Sequence, residues 1–278
     1  MTGLVVLASY PKSGNTWMRA FLASLAAGGE TPDINNGMGI FQVSGRTRVD
    51  ALIGLESSDL TPAEIARIRP WISRRIATDG PATIKSHDSF LPPPDGQEPA
   101  IPADVIDRVV YLVRDPRDVA VSFAHHTGTT LDTVISSMAE PGYTLGKSIR
   151  HENPQIEQFV SSWSSHVESW LDTPGLTRHL MRYEDMLAEP TVTFTAAVRF
   201  LGLTTDAATI DRAFEAVRFQ TLAAQEARGG FRERVPGADA PFFRNGQTGN
   251  WRTRLSAEQA DQIVADHGTV MRRLGYLS

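Results

Sequence analysis

The sequence predicts an α/β fold in which helices flank a mostly parallel, doubly wound sheet. Three observations carry that expectation. Leu4–Ser9 and Arg108–Val113 are short, continuous apolar runs without polar alternation, as strands buried on both faces require. Each run leads within a few residues into a segment with helical periodicity, and strand alternating with helix is the pattern of parallel sheets. The first strand meets its helix through Tyr10-Pro11-Lys12-Ser13-Gly14, a P-loop-like strand–turn–helix.

The elements follow in order. After the first strand, Asn15–Ala27 reads as a helix with Trp17, Phe21, Leu22 and Leu25 on one face, ended by Gly28-Gly29. Residues 28–60 are rich in Gly, Asn, Thr and Ser and read as irregular. Thr61-Pro62-Ala63-Glu64 is a capping box with proline at the first helical position, opening a helix to about Ala77. A short strand, Ala82–Lys85, precedes a proline-rich loop over 91–102. Arg108–Val113 closes on Asp115-Pro116 at the start of another helix. Asn153-Pro154 is expected to open a helix carrying Ile156, Phe159, Val160, Trp163, Val167 and Trp170, with a strand near His179–Arg182 after it. Helices around 191–201 and 207–217 precede a Gly/Arg-rich loop, 227–249. Ser256-Ala-Glu-Gln259 caps a last helix ending near Gly275.

With 278 residues and 41% hydrophobic content, the expectation is one domain over 1–278. A formal charge of −5 offers no overall attraction to nucleic acid or an anionic membrane, so an anionic ligand needs a local cluster of cations. The absence of cysteine excludes disulfides and thiolate chemistry and agrees with a reducing compartment. Met1-Thr2-Gly3 followed by Leu4–Ala8 is too short and lacks the basic leader of a targeting segment, which points to the cytoplasm. No histidine pair has zinc-site spacing; His125 and His126 are adjacent and project to different sides, so no metal is expected.

The loop after the first strand has the chemistry of a phosphate cradle. Gly14 lets the backbone approach, amides at a helix N-terminus face the anion, and Lys12 adds a point charge. It is not a Walker A sequence, because the lysine precedes the loop glycine. Residue types alone leave an ordinary strand–helix turn open. Arg114 ends a buried strand, where an ion pair with Asp115 or Asp118 would also account for it; Ser122, eight positions on and two helical turns along, could join it on one phosphate. Arg117 reads as a solvated helix residue. His87 after a strand is either a hydrogen-bonded structural residue or a base suited to neutral pH, and Lys85, two residues earlier, projects to the same side.

These segments resemble the PAPS-dependent sulfotransferases, where PAPS is 3′-phosphoadenosine-5′-phosphosulfate. Tyr10–Trp17 is similar to the family's Y-P-K-S-G-T-T-W loop, with Asn15 as the single departure. Ile84-Lys85-Ser86-His87 resembles I-K-T-H. Tyr111–Ser122 resembles the 3′-phosphate-binding strand and helix, and Arg182-Tyr183-Glu184-Asp185 the Y-E-D segment. Phe243–Trp251 resembles R-K-G-x-x-G-D-W, with Asn245 in place of lysine and Asn250 in place of aspartate. The matches stretch from residue 7 to about 251, and four motifs in order, even with the Arg182–Asp185 segment left aside, are hard to obtain by chance.

The resemblance implies PAPS as sulfuryl donor and a small-molecule acceptor bearing a hydroxyl or amine. Lys12, Ser13, Gly14, Asn15, Thr16, Arg114, Ser122, Arg244, Asn245 and Gly246 would hold the nucleotide's phosphates, with Trp17, Tyr183 and Phe219 around its adenine. His87 would be the base, with Lys85 and Lys12 stabilising charge on the moving group; lysines in place of Mg²⁺ make a metal unnecessary. The acceptor walls are assigned to 28–60, 90–94, 123–143 and 227–242, where Phe41, Phe90, Phe123, Tyr143 and Phe231 are either pocket or core residues. Arg252–Asp261 loosely echoes the family's dimer motif, and Ser256 as a helix cap explains the same residues, which leaves a homodimer open. A nucleotide kinase and a binding module without transfer activity stand as alternatives.

Overall fold

The computed structural model describes residues 3–36, 38–146, 154–234 and 241–277. In chain order these form β1 (Leu4–Ser9), α1 (Asn15–Ala26), β2 (Phe41–Gln42), α2 (Arg46–Ile53), α3 (Pro62–Thr78), β3 (Thr83–Ser86), β4 (Ile106–Val113), α4 (Pro116–Thr127) and α5 (Leu131–Ala139). They continue with β5 (Thr144–Leu145), β6 (Gln158–Phe159), α6 (Trp163–Asp172), β7 (Arg178–Arg182), α7 (Tyr183–Ala188), α8 (Pro190–Phe200), α9 (Ala207–Ala216), α10 (Phe219–Gly229) and α11 (Ala257–Arg273).

Five strands form one sheet in the order β2-β3-β1-β4-β7, and every pairing in it is parallel. Side chains of β1 and β4 divide between two cores, as a strand period of two dictates. Leu4, Val6, Ala8, Val109, Tyr111 and Val113 pack on one face with residues of α3, α4, α5, α6 and α11. Val5, Leu7, Val110 and Leu112 pack on the other with Met18 and Phe21 of α1, Phe194 of α8 and Ile210 of α9. Burial on both faces explains the unbroken apolar runs, each such side chain contributing about 1.5–3 kcal/mol. The expected α/β sheet is thus present as three layers.

β1 lies between β3 and β4, where the chain's path across the sheet reverses. Crevices beyond the carboxyl ends of strands at such a switch point are where doubly wound sheets bind ligands. The loops after β1, β3 and β4 all open there.

Two expectations need correction. The helix expected from Asn153-Pro154 begins at Trp163 instead, where Ser162 caps it by accepting from the Ser165 amide. Asn153 itself lies outside the described residues. Residues 155–161 are extended, with Gln158–Phe159 paired antiparallel to Thr144–Leu145. Ile156, Phe159 and Val160 are buried from that extended path, and Ser161, at φ 64°, breaks it before the helix. Their spacing mimics a helix only because the segment turns. Within 28–60, read as irregular, stand β2 and α2; α2 buries only Val49, so it had no apolar stripe to reveal it.

Candidate active site

The link between β1 and α1 is shaped by two left-handed residues, Lys12 at φ 67° and Gly14 at φ 101°. No side chain caps α1, so the amides of its first turn are left facing outward from Gly14 onward. A Cβ on Gly14 would meet the Tyr183 ring at 2.9 Å, so glycine serves both the backbone angle and the close ring. The loop borders a cavity of about 720 Å³. Lys12, Gly14, Asn15, Thr16 and Trp17 reach that cavity.

Ser13 and Asn15 contribute differently from expectation. Ser13 is fully buried and does not line the cavity. The Asn15 side chain turns back, donating to the Leu7 carbonyl at 3.0 Å and the Ser9 hydroxyl at 3.2 Å, so it ties the helix start to β1 rather than reaching toward a ligand. A polar residue at the one departure from the family loop is therefore kept for its bond to the strand. The Thr16 hydroxyl likewise donates to Glu233, at 3.2 Å.

Arg114 leaves the end of β4 and bridges two loops, donating to the Lys12 carbonyl at 3.3 Å and the Gln247 carbonyl at 2.9 Å, with its guanidinium 4.2 Å from the Tyr183 ring centroid. Its Nε is buried and lacks a partner. It makes no ion pair with Asp115 or Asp118, because both carboxylates are engaged elsewhere. Asp115 binds Arg117 at 2.7 Å, and Asp118 accepts from the amides of Gly249 at 2.6 Å and Trp251 at 3.0 Å. Arg117, expected in solvent, is buried between Asp115 and the Trp251 ring, 4.0 Å away. Ser122, on α4, lines the cavity beside Arg114.

Arg244, Asn245 and Gly246 also line the cavity, in a segment held at both ends by carboxylates. Glu226 accepts from the amides of Phe242 and Phe243 at 2.7 and 2.8 Å, and Asp118 holds the other end. Asn245 donates to Asn250 at 2.7 Å, so the two departures from the family's C-terminal motif meet each other. A neutral pair stands where the motif has lysine and aspartate. Gly246, at φ 56°, lies against Phe219, whose ring a Cβ would strike at 2.3 Å. Trp17 packs edge-on to Tyr183 and Phe194, and with Tyr183 and Phe219 it gives the cavity an aromatic stretch between Arg114 and the α1 start.

The wall beside the first loop is built by β3, the neighbour of β1 in the sheet. Lys85 is buried and reaches the cavity, and His87 follows it there. His87 Nδ1 lies 2.8 Å from the Ser9 carbonyl, which can only accept, so Nδ1 carries the proton and Nε2 keeps a free lone pair. Burial, with Lys85 second, holds the imidazole well below its usual pKa and therefore neutral. The loop is fixed by His166, whose Nε2 donates to the His87 carbonyl at 3.2 Å while Tyr111 binds its Nδ1 at 2.8 Å. Asp88, next in sequence, is paired with buried Arg69 and accepts from the Phe159 amide at 3.0 Å. Breaking such a buried pair costs about 3–5 kcal/mol.

Burial also lowers both lysines, Lys12 to about 7 and Lys85 to about 8. Lys12 stands 3.7 Å over the Phe242 ring, between Glu233 and Arg114 in charge. Both are poised to gain affinity for an anion, whose charge favours their protonated forms. Among the described residues, no cluster of three or more His, Asp or Glu could hold a metal ion, and no helix is long and apolar enough to cross a membrane.

A family model described as "Sulfotransferase domain" matches residues 3–275. The chain belongs to the sulfotransferase family. A relative, Sulfotransferase 2A6 of Rattus norvegicus, is 25% identical over 274 residues, covering 92% of this chain and 80% of the relative. Cytosolic sulfotransferase 1 of Danio rerio is 23% identical, covering 93% and 79%. Retinol dehydratase, solved with androsterone and inactive cofactor PAP, superposes with a TM-score of 0.63 at 19% identity, over 96% of this chain and 80% of that one. That likeness supports the sulfotransferase fold, and nothing in the comparisons favours a kinase.

Sequence reasoning missed several cavity residues of this sulfotransferase. Gln155, Gln158 and Leu145 reach the cavity from outside every assigned stretch, and Glu233, His126 and Phe242 reach it from the stretches 123–143 and 227–242, assigned to the acceptor walls without naming these residues individually. Of the aromatics weighed for the acceptor walls, Phe123 lines the cavity, whereas Phe90 is buried against Trp170, 4.9 Å away between centroids, and Phe231 against Phe242, at 4.8 Å. The Phe41 side chain and residues 235–240 lie outside the described residues. Ser256 completes a capping box on α11 with Gln259.

Proposed function

We propose that this chain is a PAPS-dependent sulfotransferase, acting in the cytoplasm as one domain, that transfers a sulfuryl group to a hydroxyl or amine of a small acceptor. The observation that carries the reading is convergence: Lys12, Arg114, Ser122, Lys85 and His87, from three separate stretches of chain, border one cavity of about 720 Å³. The residues fit a doubly phosphorylated adenosine. The uncapped start of α1 with Lys12 suits the 5′ end, Arg114 and Ser122 with Arg244 suit the 3′-phosphate, and Trp17, Tyr183 and Phe219 offer rings to the base between them.

The donor supplies a sulfuryl group on a phosphosulfate anhydride. His87 Nε2, neutral and free, takes the acceptor's proton as the new bond to sulfur forms and the sulfur–oxygen bond to the 5′-phosphate breaks. Lys85 and Lys12 then face the charge that gathers on the departing phosphate oxygen, in a setting with few other solvating groups. Cations built into the chain fill the place that Mg²⁺ holds in kinases, so no metal is needed for this step. A homodimer through 252–261 is compatible with the Ser256 cap.

The test is transfer of labelled sulfate from PAPS into a panel of phenols, alcohols and amines, with host metabolite extract alongside and mass spectrometry naming the product. Wild type is expected to label at least one acceptor, and His87→Ala to lose transfer by about 100- to 10,000-fold while still binding adenosine 3′,5′-bisphosphate. Undiminished transfer by the variant would remove His87 as the base, and bisphosphate binding with no transfer to any acceptor would favour a binding module.

A further inference from the structure

No motif pointed to an acid in this cavity, yet Glu233 faces it. Its carboxylate is met from three directions. Arg19, buried on α1, donates through one terminal nitrogen to Oε1 at 2.6 Å and Oε2 at 2.8 Å. The Thr16 hydroxyl donates to Oε2 at 3.2 Å, and Lys85 Nζ stands 3.8 Å from the same oxygen. Arg19 does not border the cavity, whereas Thr16, Lys85 and Glu233 do. One cation therefore anchors the carboxylate from behind, and another shares it at the reacting end.

We propose that Glu233 is a positioning residue for sulfuryl transfer: clamped by Arg19, its carboxylate fixes the Lys85 ammonium beside His87. The inference rests on the reading that Lys85 faces the moving sulfuryl group.

Three observations support it. Lys85 is only 7% exposed, and burial favours a neutral amine, which could not stabilise gathering negative charge. The charged and titratable groups acting on it are Glu233 after α10, Arg19 on α1, Lys12 in the loop after β1, His87 at the end of its own strand and His126 on α4. Of these, Glu233 is the one that favours the ammonium. With that help Lys85 still titrates near 8. Finally, Glu233 lies between α10 and the Arg244 loop, so its bond to Arg19 joins that segment to the helix bearing the phosphate cradle. The same bond holds the carboxylate that faces Lys85.

A competing account makes the carboxylate a stand-in for the donor's own anion at Thr16 and Lys85, expelled when the nucleotide arrives. The two accounts disagree about Glu233→Gln. Positioning predicts that the alkaline limb of the kcat/KM profile moves down by about one pH unit or more, as removal of an opposite charge this close does. Transfer then falls at least about fivefold near pH 8 and recovers to within about threefold near pH 6.5, where Lys85 is mostly protonated in both proteins. Adenosine 3′,5′-bisphosphate affinity near pH 6.5 stays within about threefold. Glu233→Asp, which keeps the charge, keeps the limb.

An unshifted limb, with or without loss of activity, overturns the proposal and leaves a structural role. Bisphosphate binding about tenfold tighter at every pH also overturns it, in favour of the stand-in. Should Glu233→Gln melt early because Arg19 is left unpaired, Arg19→Met with Glu233→Gln removes both charges, and because loss of Arg19 partly offsets loss of Glu233 at Lys85, the limb of that protein is compared with that of Arg19→Met alone. Lys85→Met separates the two levels: full transfer by that variant would fail the reading of Lys85, while its loss beside a normal Glu233→Gln would fail only the present inference.

Discussion

The two ends of the cavity are built on different principles. The part that we assign to the donor is assembled from short stretches: Lys12 to Trp17 where β1 meets α1, Arg114 to Ser122 where β4 meets α4, and Phe243 to Asn250 in the loop before α11. Its ligand groups are backbone amides and cations, which bind any phosphate alike. The part of the cavity that we assign to the acceptor is walled by side chains drawn singly from distant segments, among them Phe123, His126, Leu145, Gln155 and Gln158. A fixed donor demands a fixed constellation, while an acceptor is met by loops that can vary without disturbing the sheet. The chemistry and the specificity are therefore separable.

That separation can be broken by exchanging readouts. Arg114→Ala removes the guanidinium that joins the Lys12 and Gln247 carbonyls, and calorimetry should show bisphosphate affinity falling by about 10- to 150-fold, equal to about 1.5–3 kcal/mol for bonds to a charged group. Phe123→Ala, on the opposite wall, should raise the acceptor KM by about tenfold while bisphosphate affinity is held within about twofold. Equal losses of nucleotide affinity in both variants would mean that the ends are one coupled unit.

A smaller effect sharpens the donor end. Asn245 and Asn250 form a neutral pair where the family motif carries lysine and aspartate. The double variant Asn245→Lys with Asn250→Asp should keep the loop and tighten bisphosphate binding by no more than about fivefold, the scale of a partly exposed ion pair. Asn245→Lys alone adds a cation without its partner, so its gain should decline more steeply with salt.

The same contrast explains what could be read in advance. The sheet was legible because β1 and β4 are buried on both faces and show it as unbroken apolar runs. Lys12, Lys85, His87 and Arg114 were legible because each stands beside the end of a strand within a recognisable stretch. Residues 155–161 were misread because Ile156, Phe159 and Val160 reach the core from an extended segment at intervals that imitate a helix. Arg117 was misread because its partners, Asp115 and Trp251, come together only in the fold. Glu233 lay in a Gly/Arg-rich loop assigned to the acceptor wall as a whole, with nothing to single out the carboxylate. The signal was instead on α1, where Arg19 is buried among apolar neighbours and needs a carboxylate from elsewhere.

The most direct test of the account is the melting temperature of the wild-type protein with adenosine 3′,5′-bisphosphate in chelator, and with ATP in Mg²⁺. One rim that grips both phosphate ends predicts a rise with the bisphosphate in the absence of Mg²⁺ and little change with ATP, since ligand binding to the folded state adds stability that grows with the logarithm of ligand concentration over Kd. A rise with ATP and Mg²⁺ and none with the bisphosphate would contradict it.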